Sequence, residues 1–260
     1  MAETIEYDEA EARHEELIYE TGEAADRRRF VREALDLEGD ERVLSIGCGP
    51  GFEPAELAPI VDGEVVGVDR SEAMLALASR RCNDSPNVTL TTGDATDLPI
   101  ADESADAATV VQVYQYVDDL EAAIDELARV LRPGGRAMVY HTDWDSLVWR
   151  STNRARAKRV LEAFFEHCPR PHLGSELAEP LREGGLVVDR VEPNCLLDTR
   201  LEEGTFAYHL MEGVAKYVVD RDAVDPDMAE AWIEDLRALE ATGGTFFSLT
   251  QYGYLVRSPA

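Results

Sequence analysis

Lysine is nearly missing from this 260-residue chain: Lys158 and Lys216 are the only two, within 25 basic residues set against 53 acidic ones. The formal net charge is −28. Such a surface repels itself in dilute buffer. It is quiet only where salt shortens the screening length from about 10 Å at 0.1 M to about 3 Å at 1 M. We read the charge as adaptation to a molar-salt cytoplasm. That pressure acts on a whole proteome, so the charge says little about partners and does not by itself exclude a nucleic-acid substrate. No apolar run approaches the roughly 18 residues that cross a bilayer, so membrane insertion is not expected. Met1-Ala2-Glu3-Thr4-Ile5-Glu6 lacks the basic and apolar regions of a signal peptide, and a cytoplasmic protein is expected. Cys48, Cys82, Cys168 and Cys195 form no C-x-x-C pair. A zinc knuckle or clustered disulfide framework is therefore not expected, nor any metal; reduced, mostly buried thiols are. There is no internal repeat or low-complexity tract.

The chain does contain a β-branched run that ends in glycines, Val43-Leu44-Ser45-Ile46-Gly47-Cys48-Gly49-Pro50-Gly51. A second run, Val65-Val66-Gly67-Val68-Asp69, ends in an acid. This strand, glycine turn, helix and acid-tipped strand suits a nucleoside-bearing ligand. Glycines let the backbone approach the ligand, and the acid takes ribose hydroxyls. A dinucleotide turn reads G-x-G-x-x-G; here the third glycine, Gly51, comes one residue early and Phe52 fills its place. That disfavours a NAD-dependent oxidoreductase.

The G-x-G-x-G form resembles the first motif of the class I S-adenosylmethionine-dependent methyltransferases, and further motifs follow in order. Val68 to Leu75 resembles the second motif, which implies Asp69 on the ribose with Arg70 and Met74 near the adenine. Val88 to Ala95 resembles the third, which implies Asp94 on the adenine amino group and the Ala95 backbone on the ring. Ala105 to Val113 resembles the fourth strand, which implies Gln112 beside the methionine portion. Leu127 to Arg136 reads Leu-Ala-Arg-Val-Leu-Arg-Pro-Gly-Gly-Arg. That run resembles the corner before strand five in the quinone- and small-molecule-methylating branch. The resemblance spans residues 40–142 and implies S-adenosylmethionine as cofactor, with Gly47, Cys48, Gly49 and Gly51 forming its loop. One position departs from the family: Ser45 stands where an acid usually helps organise the pocket around the methionyl ammonium group, and it brings no charge.

The expected fold is α/β, a Rossmann-like seven-stranded sheet, mostly parallel with an antiparallel edge strand, helices on both faces and a helical cap. Strands are predicted over 42–46, 64–68, 87–91, 106–112, 135–142, 186–197 and 245–256. Helices are predicted over 53–60, 71–81, 119–131, 146–168, 174–183, 203–219 and 226–240, and one or two over 9–35 broken at Thr21-Gly22. One domain is expected over 1–260, with an N-terminal helical lid over 1–38, a cofactor-binding core over 40–145 and a cap over 203–240 inserted before the last strand.

Methyl transfer from a sulfonium is an in-line displacement in which orientation supplies much of the rate, so no strong catalytic signature is needed. The site belongs at the carboxyl ends of the parallel strands. Tyr116 lies after strand four, and His141, Asp143, Trp144 and Asp145 after strand five. His141 is the leading candidate base, with Asp143 and Tyr116 beside it; Asp145 is equally suited to capping the 146–168 helix. Trp144, Trp149 and Phe247 are candidates for an apolar acceptor pocket. Tyr19 and Arg28 are expected to close over the cofactor and hold its carboxylate. The favoured reading is a small-molecule methyltransferase of open oligomeric state. Nucleic-acid (RNA) methylation is the main alternative. Against it, Val113-Tyr114-Gln115-Tyr116 stands where amino-methylating enzymes carry Asn/Asp-Pro-Pro-aromatic, and there is no Pro-Cys pair.

Overall fold

The computed structural model describes residues 9–260; the N-terminal segment read against a signal peptide lies outside them. Strands β1 (Val43–Ile46), β2 (Val65–Asp69), β3 (Val88–Thr92), β4 (Ala105–Val111) and β5 (Leu131–Thr142) run parallel in the spatial order 3-2-1-4-5. β1 is buried at every position, as a central strand covered on both faces must be. Strand β8 (Phe247–Arg257) lies antiparallel to β5 on one side and to β7 (Val187–Asp198) on the other. The antiparallel strand therefore sits one place in from the edge. A two-residue strand, β6 (Val148–Trp149), pairs with Ser248 and Phe247, continuing the line of β5 along β8. The sheet is seven strands wide, as expected, with β6 as a short extension.

Helices cover both faces. α1 (Glu9–Glu20) and α2 (Gly22–Leu35) part at Thr21, whose hydroxyl accepts from Ala24 N at 3.3 Å and caps α2. α3 (Phe52–Leu57) and α4 (Glu72–Arg81) follow β1 and β2, with Ser71 capping α4. α5 (Leu120–Val130) buries Ala123, Ile124, Leu127 and Val130, spaced to form one helical face against the sheet. α7 (Leu173–Glu176) and α8 (Ala178–Glu183) join the same core through Leu173, Leu177 and Leu181.

The long helix expected over 146–168 is not one element. Asp143 accepts from Asp145 N at 3.1 Å and starts a tight turn, β6 follows, and the helix α6 (Arg154–Phe165) begins only where Asn153 caps it. Asp145 caps nothing there. α6 packs with α9 (Phe206–Asp220) and α10 (Pro226–Ala241) into a second apolar cluster around Trp149, Val160, Phe206, Trp232 and Phe247. The inserted 203–240 segment thus shares its core with α6. Among the described residues no helix is long and apolar enough to cross a membrane.

Candidate active site

The strand order reverses between β1 and β4, and the loops leaving their carboxyl ends diverge there. A cavity of about 1070 Å³ opens at this point, roofed by α1, α2, α6 and α9. That volume reaches the upper end of pockets for a single small ligand, leaving room for two bound side by side.

One half is the glycine turn. Gly47 (φ 66°), Gly49 (φ 51°) and Gly51 (φ 83°) all adopt the left-handed region that L side chains rarely enter. A Cβ on Gly47 would sit 2.3 Å from Val113 Cγ2, whereas one on Gly49 would meet no protein atom within 4 Å. Gly47 and Gly49 line the cavity; Gly51 does not, and faces α4 instead, 2.6 Å from Ala78 Cα at its would-be Cβ. The Asp69 carboxylate ties the turn to β2: Oδ2 accepts from Gly49 N at 2.8 Å and Oδ1 from Ser71 N at 2.9 Å. Burial raises its pKa, against the pull of those two amides. Arg70, Met74, Asp94, Ala95 and Gln112 line the same half. Asp94 Oδ1 accepts from Thr96 N at 2.9 Å and from Thr96 Oγ1 at 2.7 Å, which leaves Oδ2 outside this turn. Gln112 is held at φ 59°, a strained backbone for a non-glycine, and donates from Nε2 to Thr142 Oγ1 at 2.8 Å.

Cys48 does not reach the cavity. It is buried against Gly67, and burial pushes its thiol far up. Arg28 is also displaced from the expected place. It donates to Glu56 Oε1 at 2.9 Å and to Tyr19 O at 2.7 Å, and it lies over the Phe52 ring at 4.7 Å. Its neighbour Arg27 lines the cavity instead, buried, over the Tyr19 ring at 5.2 Å, with Nε and Nη2 making no hydrogen bond. A buried guanidinium with idle donors is costly unless an anion meets it. Tyr19 lines the cavity and stacks on Phe52 at 6.0 Å. The open cradle at Gly49, the carboxylate of Asp69 and the idle donors of Arg27 fit an amino-acid-bearing nucleoside.

The other half is aromatic, lined by Tyr116, Trp144, Phe164, His167, Phe206 and Tyr217. Burial pushes the Tyr116 phenol well up, so it stays protonated and is a donor rather than a base. His141, the expected base, is corrected by the structure. It is fully buried outside the cavity, stacked on Tyr114 at 5.7 Å, and desolvation lowers its pKa to about 3. β5 alternates, so Thr142 reaches the cavity and His141 turns to the opposite face. Asp143 likewise stays out of the cavity, spent on the turn it caps. Trp144 does line the pocket, whereas Trp149 and Phe247 pack on each other at 4.9 Å in the cap core. Asp143, Asp145 and His172 bring ligand atoms within 4.8 Å of one another, a grouping not anticipated from sequence. Sequence reasoning also missed Arg27, Thr142 and His167. Only Arg27 carried a local signal, its place in the Arg27-Arg28-Arg29 run.

Glu53, in the first turn of α3 behind the glycine loop, is buried with both carboxylate oxygens unpartnered, and burial raises its pKa to about 7. Its neutral form is the one the fold prefers. Its stabilising contribution is therefore present below the unfolded value of 4.5 and lost as pH rises through about 7. Glu53→Gln is expected to melt like wild type near pH 4.5 and to be more stable by up to about 3 kcal/mol at pH 8. Melts across that range check it, and parallel curves for the two proteins would refute it.

A family model described as a methyltransferase domain matches residues 44–139. An uncharacterised 37.1 kDa protein in a transposon of Streptomyces fradiae is 35% identical over 179 residues, covering 66% of this chain and 51% of that one. The demethylmenaquinone methyltransferase of Symbiobacterium thermophilum is 39% identical over 116 residues, covering 42% of this chain and 45% of that enzyme. The chain thus spans about half the length of the curated relatives it matches. Among solved structures, the [4+2]-cyclase SpnF superposes with a TM-score of 0.59 at 26% identity, covering 91% of this chain and 82% of that one.

Proposed function

We propose that the chain is a class I S-adenosylmethionine-dependent methyltransferase that moves a methyl group to a small-molecule acceptor by in-line displacement, a reading supported by the methyltransferase-domain match over residues 44–139 and by the methyltransferase relatives. The observation that carries this reading is one continuous cavity with the glycine turn, Asp69 and Asp94 at one end and an aromatic wall at the other. S-adenosylmethionine, when bound, supplies an activated methyl on a cationic sulfur. In this reading Gly47 and Gly49 let the backbone approach it, Asp69 takes the ribose hydroxyls, Arg70, Met74, Asp94 and Ala95 surround the adenine, and Gln112 lies by the methionyl portion. Of the lid expected over 1–38, residues 1–8 lie outside the described residues; in this reading 9–38 act as the lid, 40–145 as the cofactor core and 203–240, with α6, as the cap over the acceptor. The cap and lid exclude water, and the chain's main contribution is orientation.

SpnF is a cyclase, so this scaffold does not by itself establish methyl transfer. Two measurements are needed. Calorimetry in high-salt buffer is expected to show binding of S-adenosylmethionine and S-adenosylhomocysteine and none of NAD; the reverse order overturns the proposal. Incubation with a metabolite extract is then expected to yield a small molecule gaining a methyl group, and methylation confined to added RNA would favour the nucleic-acid reading. Arg27 is assigned to the cofactor carboxylate. Arg27→Met is expected to weaken S-adenosylmethionine by roughly 1.5–3 kcal/mol, the range for a hydrogen bond to a charged group, while leaving adenosine, which has no carboxylate, unaffected. Equal losses for both ligands would remove Arg27 from that role.

We also propose that the protein works in a cytoplasm of high salt, on the strength of its net charge of −28 and its two lysines. Like charges crowd on the folded surface and separate on unfolding, so dilution should lower the melting temperature steadily from about 3 M to about 0.1 M potassium chloride. A neutral osmolyte series controls for exclusion effects. A flat salt series would refute the adaptation and restore the charge as evidence against nucleic-acid substrates.

A further inference from the structure

His167 sits in the turn after α6, in the wall of the aromatic half of the cavity. Its Nδ1 lies 2.7 Å from the Phe164 carbonyl oxygen. A carbonyl only accepts, so Nδ1 carries the proton and the lone pair falls on Nε2. The ring is clamped: it stacks on Phe164 at 4.2 Å and meets Trp144 edge-on at 5.0 Å, with Tyr116 and Tyr217 at 6.0 and 6.2 Å. Desolvation lowers the imidazole to about 4, so at neutral pH it is uncharged and its lone pair is available. Flat rings bind best against such a wall by stacking and edge contacts.

We propose that this half of the cavity takes a planar aromatic acceptor bearing a hydroxyl group, and that His167 Nε2 accepts the hydroxyl proton. The inference rests on the methyltransferase reading above. In the step, the acceptor's O–H bond breaks and its proton goes to Nε2. The freed oxygen pair forms the bond to the methyl carbon, and the pair of the broken carbon–sulfur bond stays on sulfur. One positive charge leaves the cavity at sulfur as one appears on the imidazole. The net charge of the enclosed site is therefore unchanged, and no uncompensated charge has to be created in it.

The test uses the full chain loaded with S-adenosylhomocysteine, and 1,4-dihydroxynaphthalene kept reduced with dithionite as probe. Wild type is expected to bind the diol about tenfold more tightly than 1,4-dimethoxynaphthalene, which has no hydroxyl proton to give. His167→Phe, checked for folding by its melt, is expected to lose that preference. His167→Gln offers an amide oxygen that accepts a hydrogen bond but no proton. It should keep the preference, while with S-adenosylmethionine its kcat for methylating the diol falls about 100-fold at little change in KM. A preference absent from wild type or intact in His167→Phe overturns the proposal. So does an undiminished kcat in His167→Gln, or a failure of wild type to methylate the diol. If S-adenosylhomocysteine does not bind at all, the transferase reading itself fails, and this inference with it.

Discussion

Asp69→Ala is expected to weaken S-adenosylmethionine by roughly 1.5–3 kcal/mol, a loss of about 10- to 150-fold in affinity. The Asp69 carboxylate already accepts the backbone amides of Gly49 and Ser71, with that of Arg70 beside them, and three amides leave it a lone pair for a ribose hydroxyl. Removing the carboxylate therefore does two things at once. It deletes the proposed ligand contact, and it frees the glycine turn from β2, so the cradle is no longer set before the ligand arrives. Asp69→Asn separates the two effects. Its amide oxygen can still accept from one of the two backbone donors, while its NH₂ group repels the other. The asparagine variant should fall between wild type and alanine. Calorimetry at high salt checks the order, with a melt to show that the fold is intact. Unchanged affinity in a folded Asp69→Ala would remove the β2 terminus from the binding site.

The parts of the site that were legible in the sequence are those whose signal is local. A glycine turn needs positive φ at particular positions, and the chain advertises this with glycines at 47, 49 and 51. The strand ends carrying Asp69, Asp94 and Gln112 follow from short β-branched runs whose boundaries the structure moves by only a residue or so. The errors share a different cause, orientation about an axis. Along β5 a one-residue step turns a side chain to the opposite face, which separates Thr142 in the cavity from His141 in the core. Along α2 one residue is about 100° of rotation, which separates Arg27 in the cavity from Arg28 on Glu56. A motif locates the end of an element but does not set its rotation to that accuracy. His167 had no local signal. Its place depends on α6 starting at Asn153 rather than at 146, and on that helix packing against α9.

Phe52 and Gly51, the two residues that spoke against a dinucleotide, turn out to serve packing. Phe52 lies between Tyr19 at 6.0 Å and the Arg81 guanidinium at 3.5 Å, pinning the N-terminal helices to the loop through stacking and cation–π contact. Gly51 lets α4 approach. The sharpest stability prediction follows from comparing it with Gly49. Gly51→Ala imposes a left-handed alanine, costing about 1–2 kcal/mol, and sets its Cβ 2.6 Å from Ala78 Cα and 2.7 Å from Ala78 Cβ. The α4 backbone cannot yield without moving its buried face, which adds the roughly 1–3 kcal/mol typical of overpacking. Gly49→Ala carries only the first of these costs, since nothing lies within 4 Å of its Cβ. Gly51→Ala should therefore lower the melting temperature by several degrees more than Gly49→Ala, at about 2–4 °C per kcal/mol for a chain near this size. In binding the order should reverse, because the Gly49 methyl projects into the space proposed for the ligand. Adding Ala78→Gly to Gly51→Ala removes the Cβ contact but leaves the one to Cα. Part of the combined destabilisation should return, less the helix penalty of a new glycine, about 1 kcal/mol. Equal melting temperatures for the two single variants would show that the loop and α4 are not in the contact described, and that Gly51 serves the turn alone.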